Sequence, residues 1–150
     1  MKLDPLLIET YCEFKKIPKG IFISYPEKLI LLESTLPYTL VNLLGSKTNT
    51  VFFTRKSLKH LSEKNYPVQF LIKIHQIIQH PDLAYKGTHN RYILSKIFHE
   101  NKKPYPYITI IEITNQNIIT TAFVANQSYL KNFEILWRTE TLSNGPSIST

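Results

Sequence analysis

RYILSKIF (Arg91–Phe98), YITIIEIT (Tyr107–Thr114) and IITTAFV (Ile118–Val124) decide how this chain folds. The first alternates apolar and polar residues, as a strand with one covered face does, and the other two are β-branched runs joined by the turn-forming Asn115-Gln116-Asn117. An antiparallel meander is the natural reading, and FEILWR at 133–138 can add a further strand.

Moving toward the N-terminus the period changes from two to between three and four. In VQFLIKIHQIIQ (68–79), Phe70, Leu71, Ile74, Ile77 and Ile78 recur at helical spacing, and the helix must end before His80-Pro81 because a residue ahead of proline is pushed out of the helical region. After the short run VFF, Thr54 is a good N-cap for a helix with Leu58 and Leu61 inside and Arg55, Lys56 and Lys59 outside. Leu3, Leu6, Leu7, Thr10, Tyr11 and Phe14 predict a further amphipathic helix, with Asp4 as N-cap and Pro5 at its first position. GIFISY (20–25) and KLILLES (28–34) read as a hairpin or neighbouring strands, and LPYTLVNLLG (36–45) as a turn or single helical turn closed at Gly45.

Helices grouped before strands give an α+β class rather than an alternating one. The expected architecture is two helices packed on a four-stranded or larger antiparallel sheet, extended at the N-terminus by one helix and a β-hairpin. Residues 1–138 should form a single domain, with 1–49 as the helix and hairpin portion and 50–138 as its core. The Thr, Ser, Asn, Gly and Pro tail at 139–150 should be flexible. The lone Cys12 excludes an internal disulfide and suits a reducing, cytoplasmic setting. The start, with an acid at position 4, does not resemble a signal peptide, and no apolar run is long enough for a membrane helix.

Charge is unevenly placed. Between Thr54 and Lys103 there are ten lysines and arginines against Glu63, Asp82 and Glu100, so this stretch alone carries the formal net charge of +7. A polyanion is the expected partner, with a solvated basic face as the alternative. All five histidines, His60, His75, His80, His89 and His99, fall in the same stretch, without metal-ligand spacing or a carboxylate cluster, so no metal and no cofactor are expected. Four glycines cannot build a phosphate loop, and no nucleophile elbow is present.

Histidines among cations fit one chemistry well: metal-independent RNA cleavage. There a base takes the proton of the 2′-OH, an acid protonates the leaving 5′-oxygen, and cations stabilise charge on the phosphate. His60, within little more than a helical turn of Arg55, Lys56 and Lys59, is the leading proton-transfer candidate; the alternative is a surface residue with no task.

VFFTRKSLKHLSEK, the helix ending IIQHPDLAYKG, RYILSKIF, IITTAFV and the following NQSYLK together resemble the phage and toxin RNases of the barnase–EndoU–colicin–RelE (BECR) superfamily, closest to its phage-type branch, over about residues 50–138. The upstream LPYTLVNLLG carries Asn42 where related sequences often have histidine. The resemblance implies a nuclease-like core at 50–138, metal-independent endoribonuclease activity on tRNA or messenger RNA, and a toxin or phage-derived effector neutralised by an acidic antitoxin or immunity protein. It also implies site residues: His60, Thr121, Tyr129 and Lys96 for catalysis, and Arg55, Lys56, Lys59, Lys86, Arg91 and Thr120 for holding RNA phosphates. The alternative is a non-catalytic RNA-binding or protein-interaction module on the same fold.

Overall fold

A computed structural model describes residues 3–21 and 29–139. In chain order the elements are α1 (Pro5–Lys15), β1 (Leu29–Thr35), α2 (Tyr38–Leu44), β2 (Thr50–Thr54), α3 (Arg55–Ser62), α4 (Phe70–Gln79), β3 (Leu83–Lys86), β4 (Arg91–Glu100), β5 (Lys103–Ile113), β6 (Asn117–Val124) and β7 (Ile135–Arg138). The class is α+β. The helix signals act where the sequence places them: Asp4 Oδ1 accepts from Leu6 N at 2.9 Å, and Thr54 forms a reciprocal capping box with Ser57. LPYTLVNLLG is longer than one turn, a seven-residue helix closed by Gly45 at φ 73°.

The sheet departs in part from the expected two helices on a four-stranded or larger antiparallel sheet extended by one helix and a β-hairpin. Among the described residues there are four helices and one seven-stranded sheet ordered β1-β2-β6-β5-β4-β3-β7. The meander β4-β5-β6 is antiparallel, but β2 lies parallel to β6, matching Val51 with Asn117 and Phe53 with Ile119, so the sheet is mixed. KLILLES supplies β1, which pairs with β2; most of GIFISY, its expected hairpin partner, lies outside the described residues, as does the tail from 140. Two short strands extend the other edge: LAYK of β3, and β7 from FEILWR. Residues from the first fifty positions thus complete the sheet.

The physical reason is burial on both faces. All four helices cover one face, where Leu7, Tyr11, Leu58, Leu61, Leu71 and Ile74 join Val51, Phe53, Leu94, Ile111 and Ile119 in one core. On the other face Tyr85, Ile93 and Ile108 are covered by the segment that carries the chain from β6 across to β7, through Ala125, Tyr129, Leu130 and Phe133. A strand covered on both sides reads as a continuous apolar run, which is why YITIIEIT does not alternate.

At the start of β6 the parallel pair is locked by a side chain. Asn117 is fully buried, and its Nδ2 donates to the carbonyls of Thr48 at 2.7 Å and Thr50 at 2.9 Å while its Oδ1 accepts from Ser46 Oγ at 2.6 Å. Replacing it by alanine leaves three polar groups without this partner, so Asn117→Ala should lower unfolding stability by about 1–3 kcal/mol in urea titration. An unchanged midpoint would show that the parallel pairing is held elsewhere.

Candidate nucleic-acid interface

β2 stops pairing with β6 at Phe53, whereas β6 runs on to Val124. The outer edge of β6 beyond Ile119 therefore needs other partners. Two residues just after α3 provide them: Lys64 Nζ donates to the Ala122 carbonyl at 3.2 Å and to Thr121 Oγ1 at 2.8 Å, and Tyr66 OH accepts from Val124 N at 3.0 Å. The Lys64 ammonium also sits 5.2 Å from the centre of the Phe123 ring. Burial at this edge lowers the Lys64 pKa, because removing water disfavours the charged form.

Tyr66 ties the same point to α1. Its carbonyl accepts from Tyr11 OH at 2.9 Å and from Lys15 Nζ at 2.7 Å. Tyr11 is fully buried, and burial, with a smaller contribution from Cys12, pushes its phenol up to about 12, so it stays a donor at any ordinary pH.

These contacts bring the ends of α1 and α3 together around an open cavity of about 310 Å³ lined by Lys15, Lys16, Ile17, Pro18, Lys19, Ser62, Glu63, Lys64 and Asn65. Four lysines face one carboxylate there, and Lys15, Lys16 and Lys19 are exposed. Glu63 is already engaged: its Oε2 accepts from Lys59 Nζ at 2.6 Å and Gly20 N at 3.0 Å, and its Oε1 lies 3.9 Å from His60 Nδ1. The Lys59 hydrogen bond, then the Gly20 N–H, hold the Glu63 pKa below the usual carboxylate range, outweighing its desolvation. Part of this positive charge offsets the carbonyl ends of the two helices. The remainder forms a basin able to accept phosphate oxygens as point-charge contacts.

His60 stands beside this basin, its side chain 69% exposed, with Lys56 one turn earlier on the same helical face. Arg55 opens α3, and Lys59 is turned inward onto Glu63 with 11% of its side chain exposed. Thr121 is joined to this group through Lys64, whereas Thr120 is the extra residue at a bulge in β6 and donates to the Ile110 carbonyl at 3.2 Å. Tyr129 lies on the far face of the sheet, edge-on to Phe123 at 5.2 Å and next to Phe133 at 5.4 Å.

The remaining expected residues are elsewhere. Lys96 is two strands from β6, a separation of about 10 Å, with its ammonium 2.8 Å from the His80 carbonyl and 3.7 Å from Asp82 Oδ1. Lys86 lies over the Tyr92 ring three strands from β6. Arg91 begins β4 after a tight turn in which Gly87 approaches so closely that a Cβ there would come 2.7 Å from the Arg91 carbonyl oxygen. The structure thus gathers His60, Lys59 and, through Lys64, Thr121 at the end of α3 beside the basin, with Lys56 one turn back on the same face; Arg55 opens the opposite end of that helix, Tyr129 is on the far face, and Lys96, Lys86 and Arg91 lie on other strands. Lys15, Lys16, Lys19 and Lys64 are additions, and the clustering of the first three at the end of α1 is the sequence signal that points to them. No group of three or more potential metal-binding side chains occurs among the described residues, and no helix there is long and apolar enough to cross a membrane.

Comparison of the chain with protein-family models, curated proteins and solved structures finds no match in any of the three.

The lowered Lys64 pKa has a definite sign. In the folded state the ammonium gives up its proton at lower pH than in the unfolded chain, so folding carries a penalty below the folded pKa that is relieved as pH rises toward the ordinary lysine value. Relative to Lys64→Met, the wild type should gain stability across that alkaline window, measured by denaturant unfolding at successive pH values. A difference that is flat or falls with pH contradicts the burial of this charge.

Proposed function

We propose that this chain binds RNA by its phosphodiester backbone in the basin between α1 and α3, and that His60 transfers a proton in metal-independent cleavage there. The observation that carries the reading is the convergence of Lys15, Lys16, Lys19 and Lys64 on a cavity of about 310 Å³ beside the exposed imidazole of His60. Lysine point charges favour phosphate over any neutral ligand, and the same contacts stabilise the extra negative charge that develops on the non-bridging oxygens when the 2′-oxygen attacks phosphorus. Bond making and breaking would then leave a 2′,3′-cyclic phosphate on one product and a 5′-OH on the other. Glu63 faces Nδ1 of His60, which leaves Nε2 to meet the RNA. The resemblance to BECR-superfamily RNases supports the same chemistry, and an acidic antitoxin or immunity protein would be complementary to the same basin.

A second reading, RNA binding without turnover, is favoured by one specific feature. Cleavage needs a proton donor and a proton acceptor, and Glu63, the carboxylate nearest His60, is occupied by Lys59 and Gly20.

Incubating the chain with total RNA in EDTA separates the two. Cleavage yielding 2′,3′-cyclic phosphate ends, abolished in His60→Ala with an unchanged circular dichroism spectrum, is the expected result. Retarded RNA without products would select the binding reading, and cleavage undiminished in His60→Ala would remove His60 from the chemistry.

A further inference from the structure

β4 and β5 run on past both of their neighbours. The β6 ladder ends at Tyr107 opposite Val124, and the β3 ladder ends at Ser95 opposite Leu83, yet β4 and β5 continue to pair from Ile97 opposite Pro106 out to Glu100 opposite Lys103. Among the described residues, 97–106 are therefore a two-stranded arm with no strand on either side, anchored at its base by Ile97 N to Asp82 Oδ2 at 2.8 Å and Ala125 N to the Pro106 carbonyl at 2.9 Å.

Its tip is strained. Asn101 and Lys102 form the two-residue turn with φ of 51° and 67°. Such a turn requires positive φ at both positions and favours glycine at the second, where this chain places a lysine. Strain retained at an exposed tip that gains nothing in packing is a reason to look for a use of the side chain.

The arm is also stiff on one face. Phe98 packs edge-on to Tyr107 at 4.8 Å beneath the Lys73 ammonium at 4.2 Å, and the Tyr107 hydroxyl donates to Glu100, which occupies the arm's one carboxylate. Directly across from Phe98, Tyr105 remains 36% exposed, next to Lys103 and Lys102. The aromatic row leads back from Tyr107 through Phe70 at 5.8 Å to Tyr66 at 4.0 Å, the residue that follows Lys64 and Asn65 of the basin.

We propose that this arm is a second RNA contact, specific for single strands, in which a base stacks on Tyr105 while Lys102 and Lys103 hold the flanking phosphates. It rests on the RNA reading of the basin and adds to it the form of the substrate. A base can reach Tyr105 only if it is unstacked from its neighbours, and the major groove of an RNA duplex is too deep and narrow to admit side chains of a ribbon. An aromatic face with adjacent cations on a stiff support is the usual way a single strand is held without sequence preference.

The test is anisotropy titration of the full chain with a labelled 2′-O-methyl oligoribonucleotide of about 16 nucleotides, which cannot be cleaved through its 2′-oxygen, as a single strand and as a duplex. Tyr105→Ala should weaken single-strand binding about tenfold and Tyr105→Phe should restore it, with the duplex little affected by either. Lys102→Gly relieves the turn, so its thermal midpoint should hold or rise while the salt slope of single-strand binding falls by about 0.7. If RNA binds and responds to Lys16→Ala and Lys19→Ala but to neither arm variant, the arm proposal fails and the basin stands. Failure of the full chain to bind either RNA form overturns both, and equal loss on single strand and duplex overturns the stacking role of Tyr105.

Discussion

Much of this structure follows from the unequal lengths of β2 and β6. Because β2 gives way to α3 after Thr54, the last residues of β6 have an outer edge that no strand among the described residues covers, and the backbone there is satisfied by Lys64 and Tyr66. Those two residues fix where α3 ends and how the chain enters α4. Through Tyr66 they also fix where α1 ends, since Tyr11 and Lys15 both donate to its carbonyl. The basin is the space left between two helix ends held at one point of the sheet. A partly buried ammonium beside an open cavity is therefore both a structural requirement and a source of positive potential, a combination that often marks sites where stability is given up for function.

Local signals in the sequence were enough for the elements with strong chemistry of their own. Thr54 and Asp4 cap their helices, Pro81 follows the end of α4, and the runs from Arg91 to Val124 form the meander. Pairing at a distance was not legible, because periodicity says that a segment is a strand and not which strand it joins. VFF is three residues long and its parallel partner lies over sixty positions away, held by Asn117, which read only as turn chemistry. LAYK was hidden after the His80-Pro81 stop by its four-residue length.

For the site, grouping charge by position along the chain had a similar limit. Lys15, Lys16 and Lys19 lie in a portion whose acids balance its bases overall, yet folding sets the three lysines beside the end of α3. Conversely, Lys86, Arg91 and Lys96 belong to the most basic stretch but lie on β3 and β4, two or three strands from β6, and Lys96 is held by Asp82 and the His80 carbonyl. The exposed position of His60 on α3 is legible because an exposed helical face can be read from spacing alone.

On the proposed reading, RNA phosphates are received between the ends of α1 and α3. Mapping backbone amide shifts by NMR while titrating a 2′-O-methyl single-stranded RNA tests this most directly, since it reports where the ligand sits whether or not cleavage occurs. The largest shifts are expected at residues 15–19 and 59–65. Shifts confined to the region of Lys86 and Arg91, with those segments unmoved, would contradict it.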